Sequence, residues 1–248
     1  MVDQEKLDKL YEILKESKKI VFFGGAGVST ASNIPDFRGA NGLYNYTPEE
    51  IISHSFFVDH TKEFYEFYFS KMVYLNAKPN ECHKFLKLLE DDKKLSAIVT
   101  QNIDDLHQKA GSKNVIELHG SVKRNYCMKC HKYYDIEDDA FKKVNYNDVP
   151  HCTCGGIIKP DVVLYEEALN EDDITNAIKA ISSADCMIVA GTSLVVYPAA
   201  SFVRFFNGKY LVVINLGNLY NINADLAIDG KVEEYLNTDN YNKYLKGK

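Results

Sequence analysis

A short apolar segment that ends in a group of glycines constrains this chain more than any other feature. Residues 20–23, Ile-Val-Phe-Phe, have the length and the β-branched and aromatic composition of a buried parallel strand. The glycines within 24–27 then allow a sharp turn and a close approach of the backbone to a ligand. Ser29, Thr30 and Ser32 follow where a helix is expected to begin. Because free N–H groups and the helix dipole converge at such a point, the pattern predicts an anion site suited to a dinucleotide pyrophosphate.

The glycine pattern differs from the common dinucleotide fingerprint. Gly25 and Gly27 supply the first two glycines of G-x-G-x-x-G, but Thr30 stands at the third position. Taken alone, the turn is also compatible with an ordinary structural corner followed by a helix cap. The next residues favour a phosphate site, because they add an acid, an aromatic ring that could shield a reacting sugar, and a cation suited to a diphosphate: Asp36, Phe37 and Arg38.

Four more segments resemble this first strand. They cover residues 96–102, 115–119, 185–190 and 210–214, and each ends in small or polar residues. Because the strands are separated by helical segments, the sequence predicts an α/β fold with a doubly wound, parallel, Rossmann-like sheet. Such a sheet binds ligands at the carboxyl ends of its strands, which is where the glycine turn falls.

Three segments have a helical pattern. Residues 3–17 carry apolar side chains at helical spacing, and residues 79–89 contain His83, whose expected role is structural hydrogen bonding. The segment 48–75 is crowded with aromatic side chains, which we expect to form the core of a small helical module: Phe56, Phe57, Phe64, Tyr65, Phe67, Tyr68 and Phe69.

Polar residues at the tips of two predicted strands should meet near the glycine turn. Gln101, Asn102 and Asp104 follow one strand, and His119 ends the next. Each has an ordinary explanation as a helix cap or a local hydrogen-bonding group. Together they provide one base that titrates near neutrality and several groups able to orient a sugar and an amide.

Four of the six cysteines are arranged as a metal site. Cys127 and Cys130 form one pair, and Cys152 and Cys154 form a second pair after a short insertion. Thiolates at turn spacing suit tetrahedral zinc, and four of them leave no open position, so the zinc should be structural. Redox-active thiols or unpaired cysteines are the alternatives.

Charge and hydropathy exclude some functions. The net charge of −6 over 248 residues argues against a general nucleic-acid-binding protein. No apolar run is long enough to span a membrane, and the mixed charges of the first residues are unlike a signal peptide. We therefore expect a cytoplasmic protein without membrane contact, and the acidic surface favours a monomer.

These motifs together resemble the sirtuins of bacterial type, which are NAD-dependent protein deacylases. The resemblance covers nearly the whole chain, with the motifs in the family's order. It is carried by the four cysteines and by residues 25–29 (Gly-Ala-Gly-Val-Ser), 34–38 (Ile-Pro-Asp-Phe-Arg), 100–104 (Thr-Gln-Asn-Ile-Asp), 119–120 (His-Gly), 191–193 (Gly-Thr-Ser) and 215–217 (Asn-Leu-Gly).

The resemblance implies how NAD is held. Three groups of residues at strand ends contact three parts of NAD, namely the phosphates with the nearby ribose, the nicotinamide, and the adenosine. Phe37 shields the reacting sugar. The implied cofactor-binding residues are Ala26, Gly27, Ser29, Thr30, Asp36, Phe37, Arg38, Gln101, Asn102, Ile103, Asp104, His119, Gly191, Thr192, Ser193, Asn215, Leu216 and Gly230.

The resemblance also implies the reaction. An acetylated lysine is deacetylated at the expense of NAD, giving nicotinamide and O-acetyl-ADP-ribose, with His119 as the general base and Asn102 as a second catalytic residue. The acyl-lysine peptide pairs with an exposed strand by strand addition. The residues of that strand are Val162, Val163, Leu164 and Tyr165.

Two glycines of the family pattern are replaced here. Asn33 stands for the first, and since Asn tolerates left-handed backbone we expect the turn to be kept. Glu166 stands for the second, beside the peptide strand, and its carboxylate could favour sites flanked by lysine or arginine. In sirtuins that remove succinyl groups, a Tyr-x-x-Arg pair binds the acyl carboxylate. Here Tyr68 follows Tyr65 and no arginine occurs in 39–123, so we expect deacetylation over desuccinylation.

The predicted domains are an NAD-binding domain, a helical module with the cofactor loop, and a zinc ribbon. The first comprises residues 1–38, 80–123 and 158–248, the second 39–79 and the third 124–157. Two other functions stay open at this stage, namely ADP-ribosyl transfer to a protein and a non-catalytic NAD-sensing module.

Overall fold

The strands fall into two sheets. The structure, a computed structural model, describes residues 2–35, 47–139, 148–194, 197, 199–217 and 223–247. Within them the strands are β1 Ile20–Gly24, β2 Leu95–Thr100, β3 Val115–Glu117, β4 Gly120–Cys127, β5 Tyr133–Asp135, β6 Ile158–Val162, β7 Cys186–Ala190, β8 Tyr210–Asn215 and β9 Leu226–Asp229.

The larger sheet is parallel throughout its described strands. Its order is β3-β2-β1-β7-β8-β9, so the chain moves outward from β1 in one direction and then in the other. The predicted doubly wound, Rossmann-like α/β fold is confirmed. The sequence predicted five strands, however, and the structure has a sixth, β9, at the edge of the sheet.

Nine α-helices lie within the described residues. They are α1 Gln4–Glu16, α2 Pro48–Ile51, α3 His54–Asp59, α4 Thr61–Lys71, α5 Glu81–Asp91, α6 Leu106–Lys109, α7 Glu171–Ser182, α8 Val232–Tyr235 and α9 Thr238–Asn240, followed by a π-helical turn at Tyr241–Lys246. Helices of the length and apolar character that a bilayer crossing requires are absent from this part of the chain.

Both faces of the large sheet are covered. Phe22 packs with apolar residues of α1 and α5 on one face, whereas Val21 and Phe23 pack with α7 on the other. Side chains of a strand alternate between faces, so a strand covered on both sides must be apolar at every position. This is why the segment before the glycine turn reads as an unbroken apolar run.

The smaller sheet is antiparallel and has the order β5-β4-β6. It shares a core with the predicted helical module, because the seven aromatic residues of α3 and α4 are all buried and cluster with residues of β4 and β6. The prediction that these aromatics form a core is confirmed. The predicted helical segment is divided into α2, α3 and α4.

Gly120 marks the point at which the chain leaves the large sheet for the small one. Its φ is +73°, and a Cβ atom there would lie 1.8 Å from the carbonyl oxygen of Asp161. No side chain fits at that distance, so β4 and β6 can approach this closely only with glycine at position 120.

Two histidines are buried beside α5. His83 and His107 are 0% and 1% exposed, and their rings lie 4.7 Å apart. The N–H of Asn80 donates to Nδ1 of His83 at 3.2 Å, which confirms the predicted structural role of His83. Among the described residues, neither ring nitrogen of His107 has a hydrogen-bond partner. Both rings are therefore held neutral in an apolar environment.

We expect this histidine pair to make the fold sensitive to acid. Burial lowers the pKa of His83 to about 4 and lowers that of His107 well below its usual value. Because the folded pKa values lie below about 6.5, stability is complete above that pH and falls as pH falls towards the folded pKa. Each histidine should remove about 1.4 kcal/mol of unfolding free energy per pH unit in this range.

Urea unfolding between pH 7 and pH 5 measures this dependence. His107→Leu, which removes one titrating ring, should show a smaller loss than the parent by about 2 kcal/mol in total over this interval. His60→Asn, at an exposed position, is the matched control and should retain the parental slope. Equal slopes in the parent and His107→Leu would contradict the assignment.

Candidate active site

Three loops leave the large sheet at the carboxyl ends of β1, β2 and β7. Gly24 lies in register with Thr100 on one side and with Ala190 on the other, so the loops begin at the same level. The Gln101 N–H donates to the Gly24 carbonyl at 2.9 Å, and the Gly27 N–H donates to the Gly191 carbonyl at 2.8 Å. This is the sheet edge at which open α/β folds bind ligands.

The glycine loop packs tightly against the loop that follows β7. A Cβ on Gly27 would lie 2.8 Å from the Cα of Gly191. The backbones of the two loops are therefore in direct contact, which a larger residue at Gly27 would prevent.

The predicted helix after this loop is not a regular α-helix. Residues Ala26–Val28 and Thr30–Ser32 form two 3₁₀ turns instead. Asn33 ends the second with φ 62° and ψ 28°, the left-handed conformation expected for it. Pro35 follows, and proline disfavours helical backbone in the residue before it, which explains why no longer helix forms. The loop still offers N–H groups, but with less help from a helix dipole than predicted.

A hydrogen-bonded triad connects the glycine loop with the loop after β2. The Ser29 hydroxyl donates to Oδ2 of Asp104 at 2.6 Å and accepts from Nδ2 of Asn102 at 3.0 Å. Burial raises the pKa of Asp104, an effect opposed by the hydrogen bonds from Ser29 and the Leu106 N–H. Ser29 therefore fixes the orientation of both polar side chains.

Gln101 gives the clearest indication of a ligand-binding position. Its Oε1 accepts from the Thr192 hydroxyl at 2.9 Å, which directs the side chain across the loops. Its Nε2 is buried and has no hydrogen-bond partner among the described residues. A buried amide donor usually has a partner, so the site fits a ligand with a hydrogen-bond acceptor here.

His119 is held in one tautomer. Its Nδ1 lies 3.0 Å from the carbonyl oxygen of Gln101. A carbonyl oxygen can only accept, so Nδ1 carries the proton and Nε2 keeps its lone pair. Burial lowers the pKa of His119, while the Gln101 carbonyl opposes that shift. The imidazole is therefore neutral at pH 7 and can act as a base through Nε2.

The sequence did not predict a charged network behind His119. Arg124 donates from Nε to Asp161 at 2.7 Å and from Nη1 to Glu117 at 2.6 Å. Gln108 donates to the other oxygen of Glu117 at 2.8 Å. This network joins β3, β4 and β6 around the turn that carries His119. The only sequence signal was an acid inside an otherwise apolar strand.

The other predicted cofactor residues also follow the carboxyl ends of strands, except for three that the structure does not describe. Asn215 ends β8, the exposed Leu216 follows it, and the Gly230 N–H after β9 donates to the Asn215 carbonyl at 3.0 Å. Asp36, Phe37 and Arg38 lie outside the described residues. The structure brings together at the loops Ala26, Gly27, Ser29, Thr30, Gln101, Asn102, Ile103, Asp104, His119, Gly191, Thr192 and Ser193.

The predicted peptide strand continues from β6. Val163 donates its N–H to the His119 carbonyl at 3.0 Å, which places the strand beside the imidazole-bearing turn. The N–H of Tyr165 donates to the Ile52 carbonyl at 3.0 Å, and the Tyr165 carbonyl accepts from the His54 N–H at 2.9 Å. One edge of this segment is thus occupied by β4 and by the residues before α3.

The four paired cysteines form a compact ligand set. The Sγ atoms of Cys127, Cys130, Cys152 and Cys154 all lie within 4.8 Å of one another. The Tyr134 hydroxyl donates to Sγ of Cys152 at 3.0 Å, as an outer partner of a metal ligand does. The cysteines are therefore positioned to bind a structural zinc ion, as predicted.

A parallel sheet with a glycine loop at its carboxyl edge and a four-cysteine module defines a nucleotide-binding α/β protein with a zinc ribbon. A profile of the Sir2 family matches residues 25–198. A relative from Clostridium perfringens is 56% identical over 241 residues, covering 94% of this chain and 97% of the relative. One from Clostridium acetobutylicum is 54% identical over 242 residues, covering 94% and 98%. Both are named NAD-dependent protein deacetylase.

Solved structures agree with this. A Sir2 structure with a deacetylated p53 peptide and 3'-O-acetyl ADP ribose has a TM-score of 0.86 and 41% identity, covering 96% of this chain and 97% of its own. A second, from work on the mechanism and regulation of Sir2 enzymes, has a TM-score of 0.88 and 36% identity, covering 99% and 100%. The chain therefore belongs to the Sir2 family.

Proposed function

We propose that this protein is an NAD-dependent protein-lysine deacetylase that releases nicotinamide, O-acetyl-ADP-ribose and the deacetylated lysine. The single observation that carries the proposal is the neutral His119, whose Nδ1 is bound by the Gln101 carbonyl where the three loops converge. Its membership of the Sir2 family, with relatives named as deacetylases, supports the same reaction.

The residues at the loops fit NAD. The unpartnered Nε2 of Gln101 can donate to the nicotinamide half, and the glycine loop with Thr192 can take the phosphates. Asn215 and the backbone near Gly230 are placed for the adenosine half. NAD supplies the labile bond to nicotinamide and the ribose that receives the acetyl group. Arg38 and Phe37 belong to the same proposal from their sequence motif.

His119 acts as the general base. With Nδ1 bound to the Gln101 carbonyl, Nε2 can accept a proton from a ribose hydroxyl. Asn102, oriented by Ser29, holds the ribose side of the site, and Asp104 supports Ser29 from behind. These groups are partly buried, and exclusion of the remaining water when the substrates bind would favour transfer to the ribose over hydrolysis.

The acetylated peptide adds as a strand to residues 162–165. One edge of this segment is already paired with β4 and with Ile52, so the peptide uses the opposite edge. Its placement beside His119 supports this reading, because the Val163 N–H is bonded to the His119 carbonyl.

The location, oligomeric state, substrate class and domain organisation belong to the same proposal. The chain works as a cytoplasmic monomer on protein substrates and not on nucleic acid, in line with its net charge of −6. It is organised as an NAD-binding domain, a helical module and a zinc ribbon, with the boundaries given above.

The acyl preference tests the proposal. We expect kcat/KM for an acetyl-lysine peptide to exceed that for the matched succinyl-lysine peptide by about 10- to 100-fold, since a bound carboxylate needs a charged partner. Tyr65 and Tyr68 are both buried among aromatic rings and offer no cation. Nicotinamide release and O-acetyl-ADP-ribose are measured with NAD present. A preference for succinyl-lysine, or ADP-ribosylated protein as the product, would contradict the proposal.

A further inference from the structure

Glu166 has a backbone conformation that its residue type disfavours. Its φ is +75°, in the left-handed region, immediately after the proposed peptide strand. A residue with a Cβ adopts this conformation at an energetic cost, so other interactions must hold it there.

The side chain of Glu166 supplies those interactions. Oε2 accepts from the N–H of Ser55 at 2.9 Å, and Oε1 accepts from the Ser55 hydroxyl at 3.0 Å. Both carboxylate oxygens are thus bonded to one residue in the first turn of α3, which lies 111 residues away in the chain.

The residues on either side of Glu166 are tied to the same place. Tyr165 exchanges two backbone hydrogen bonds with Ile52 and His54. The Glu167 carboxylate contacts Nδ1 of His54 at 2.9 Å and Nζ of Lys159 at 3.0 Å. Three consecutive residues therefore attach the end of the peptide strand to the start of α3.

We propose that Glu166 is a positioning residue for the substrate peptide, acting through Ser55. Its carboxylate fixes the turn that ends residues 162–165, and thereby sets the direction of the edge opposite β4, where the Leu164 N–H donates to the Glu167 carboxylate at 2.9 Å. The inference rests on the proposed peptide-binding role of that segment. It differs from the expectation that Glu166 reads basic residues in the peptide, because both oxygens already accept hydrogen bonds from Ser55.

Glu166→Gln separates the two roles. A glutamine amide can accept from the Ser55 N–H through its oxygen and donate to the Ser55 hydroxyl through its nitrogen, so position is kept while charge is lost. We expect its peptide Kd and KM to stay within about twofold of the parent. Glu166→Ala, which loses both bonds, should raise them about tenfold with kcat unchanged.

Glu166→Gly and Ser55→Ala complete the series. Glycine adopts the left-handed conformation without an energetic cost, so the melting temperature of Glu166→Gly should not fall. Its peptide KM should nevertheless rise as in Glu166→Ala, because the bonds to Ser55 are lost. Ser55→Ala keeps the N–H and should give an intermediate value. KM for NAD should be unchanged in all four variants.

Peptide Kd is measured by fluorescence anisotropy with labelled acetyl-lysine peptides, one flanked by lysines and one by neutral residues. Kd does not depend on turnover, so a parent that binds peptide without deacetylating it would refute the proposed reaction and still test Glu166. An unchanged Kd in Glu166→Ala would overturn the inference. A second contradicting result is a Glu166→Gln variant whose Kd equals that of Glu166→Ala for the lysine-flanked peptide but not for the neutral one. A third is a parent protein that binds neither peptide.

Discussion

Replacing His119 with alanine should reduce kcat for deacetylation by roughly 10²- to 10⁴-fold, the range that general-base catalysis provides. His119 is the one residue of the described site whose geometry leaves a neutral nitrogen lone pair free to take a proton. Because its Nδ1 bond goes to a backbone carbonyl, removing the ring leaves no side chain without its partner. NAD affinity should therefore stay within a few-fold, which calorimetric titration measures.

The pH profile adds a second readout for His119. Burial lowers its pKa, and only the neutral imidazole accepts a proton, so kcat/KM should rise with pH through a pKa below about 6.5 and be level above pH 7. His60→Asn, at an exposed position outside the catalytic loops and the peptide strand, is the control and should keep the parental profile. Turnover in His119→Ala within a few-fold of the parent would show that another group is the base.

Replacing Cys127 or Cys152 with serine should cause the largest loss of stability. Both side chains are buried in the core that the small sheet shares with α3 and α4. Structural zinc contributes about 10 kcal/mol or more in small zinc domains, so its loss should unfold this part of the molecule. The melting transition should move down or split, and peptide binding should be lost with it.

Metal analysis provides the direct measurement. The parent should contain one zinc per chain, and prolonged treatment with a strong chelator should reproduce the effect of the serine variants. Cys186→Ala is the matched control, because Cys186 is buried in the large sheet away from the four-cysteine set and its variant should keep full zinc content. Full zinc content and unchanged melting in Cys127→Ser would refute the site.

The fold was largely predictable because most strands of the large sheet are buried on both faces. An unbroken apolar run such as that of β1 has few other interpretations in a soluble α/β chain. The strand β9 was missed because it has only four residues and ends in an exposed Asp229 at the edge of the sheet. The glycine turn was found, but Asn33 and Pro35 shorten the helix predicted after it.

Site residues that directly follow a strand could be predicted from the sequence. Those whose role depends on a partner far away in the chain could not. Gln101, Asn102 and His119 were identified because parallel strands end at one edge. The hydrogen bond between Ser29 and Asp104 joins residues that are 75 positions apart, and the bonds between Glu166 and Ser55 join residues that are 111 positions apart. No local pattern encodes such pairs. Arg124, which joins three strands behind the site, had no sequence signal of its own.

The position of Gly120 has a consequence for how the base is held. His119 is the residue immediately before the point where the chain passes from the parallel sheet into the antiparallel one. Its ring is bonded to the Gln101 carbonyl of the parallel sheet, and its own carbonyl accepts from the Val163 N–H of the peptide segment. One residue thus couples the parallel sheet, the base and the proposed peptide strand.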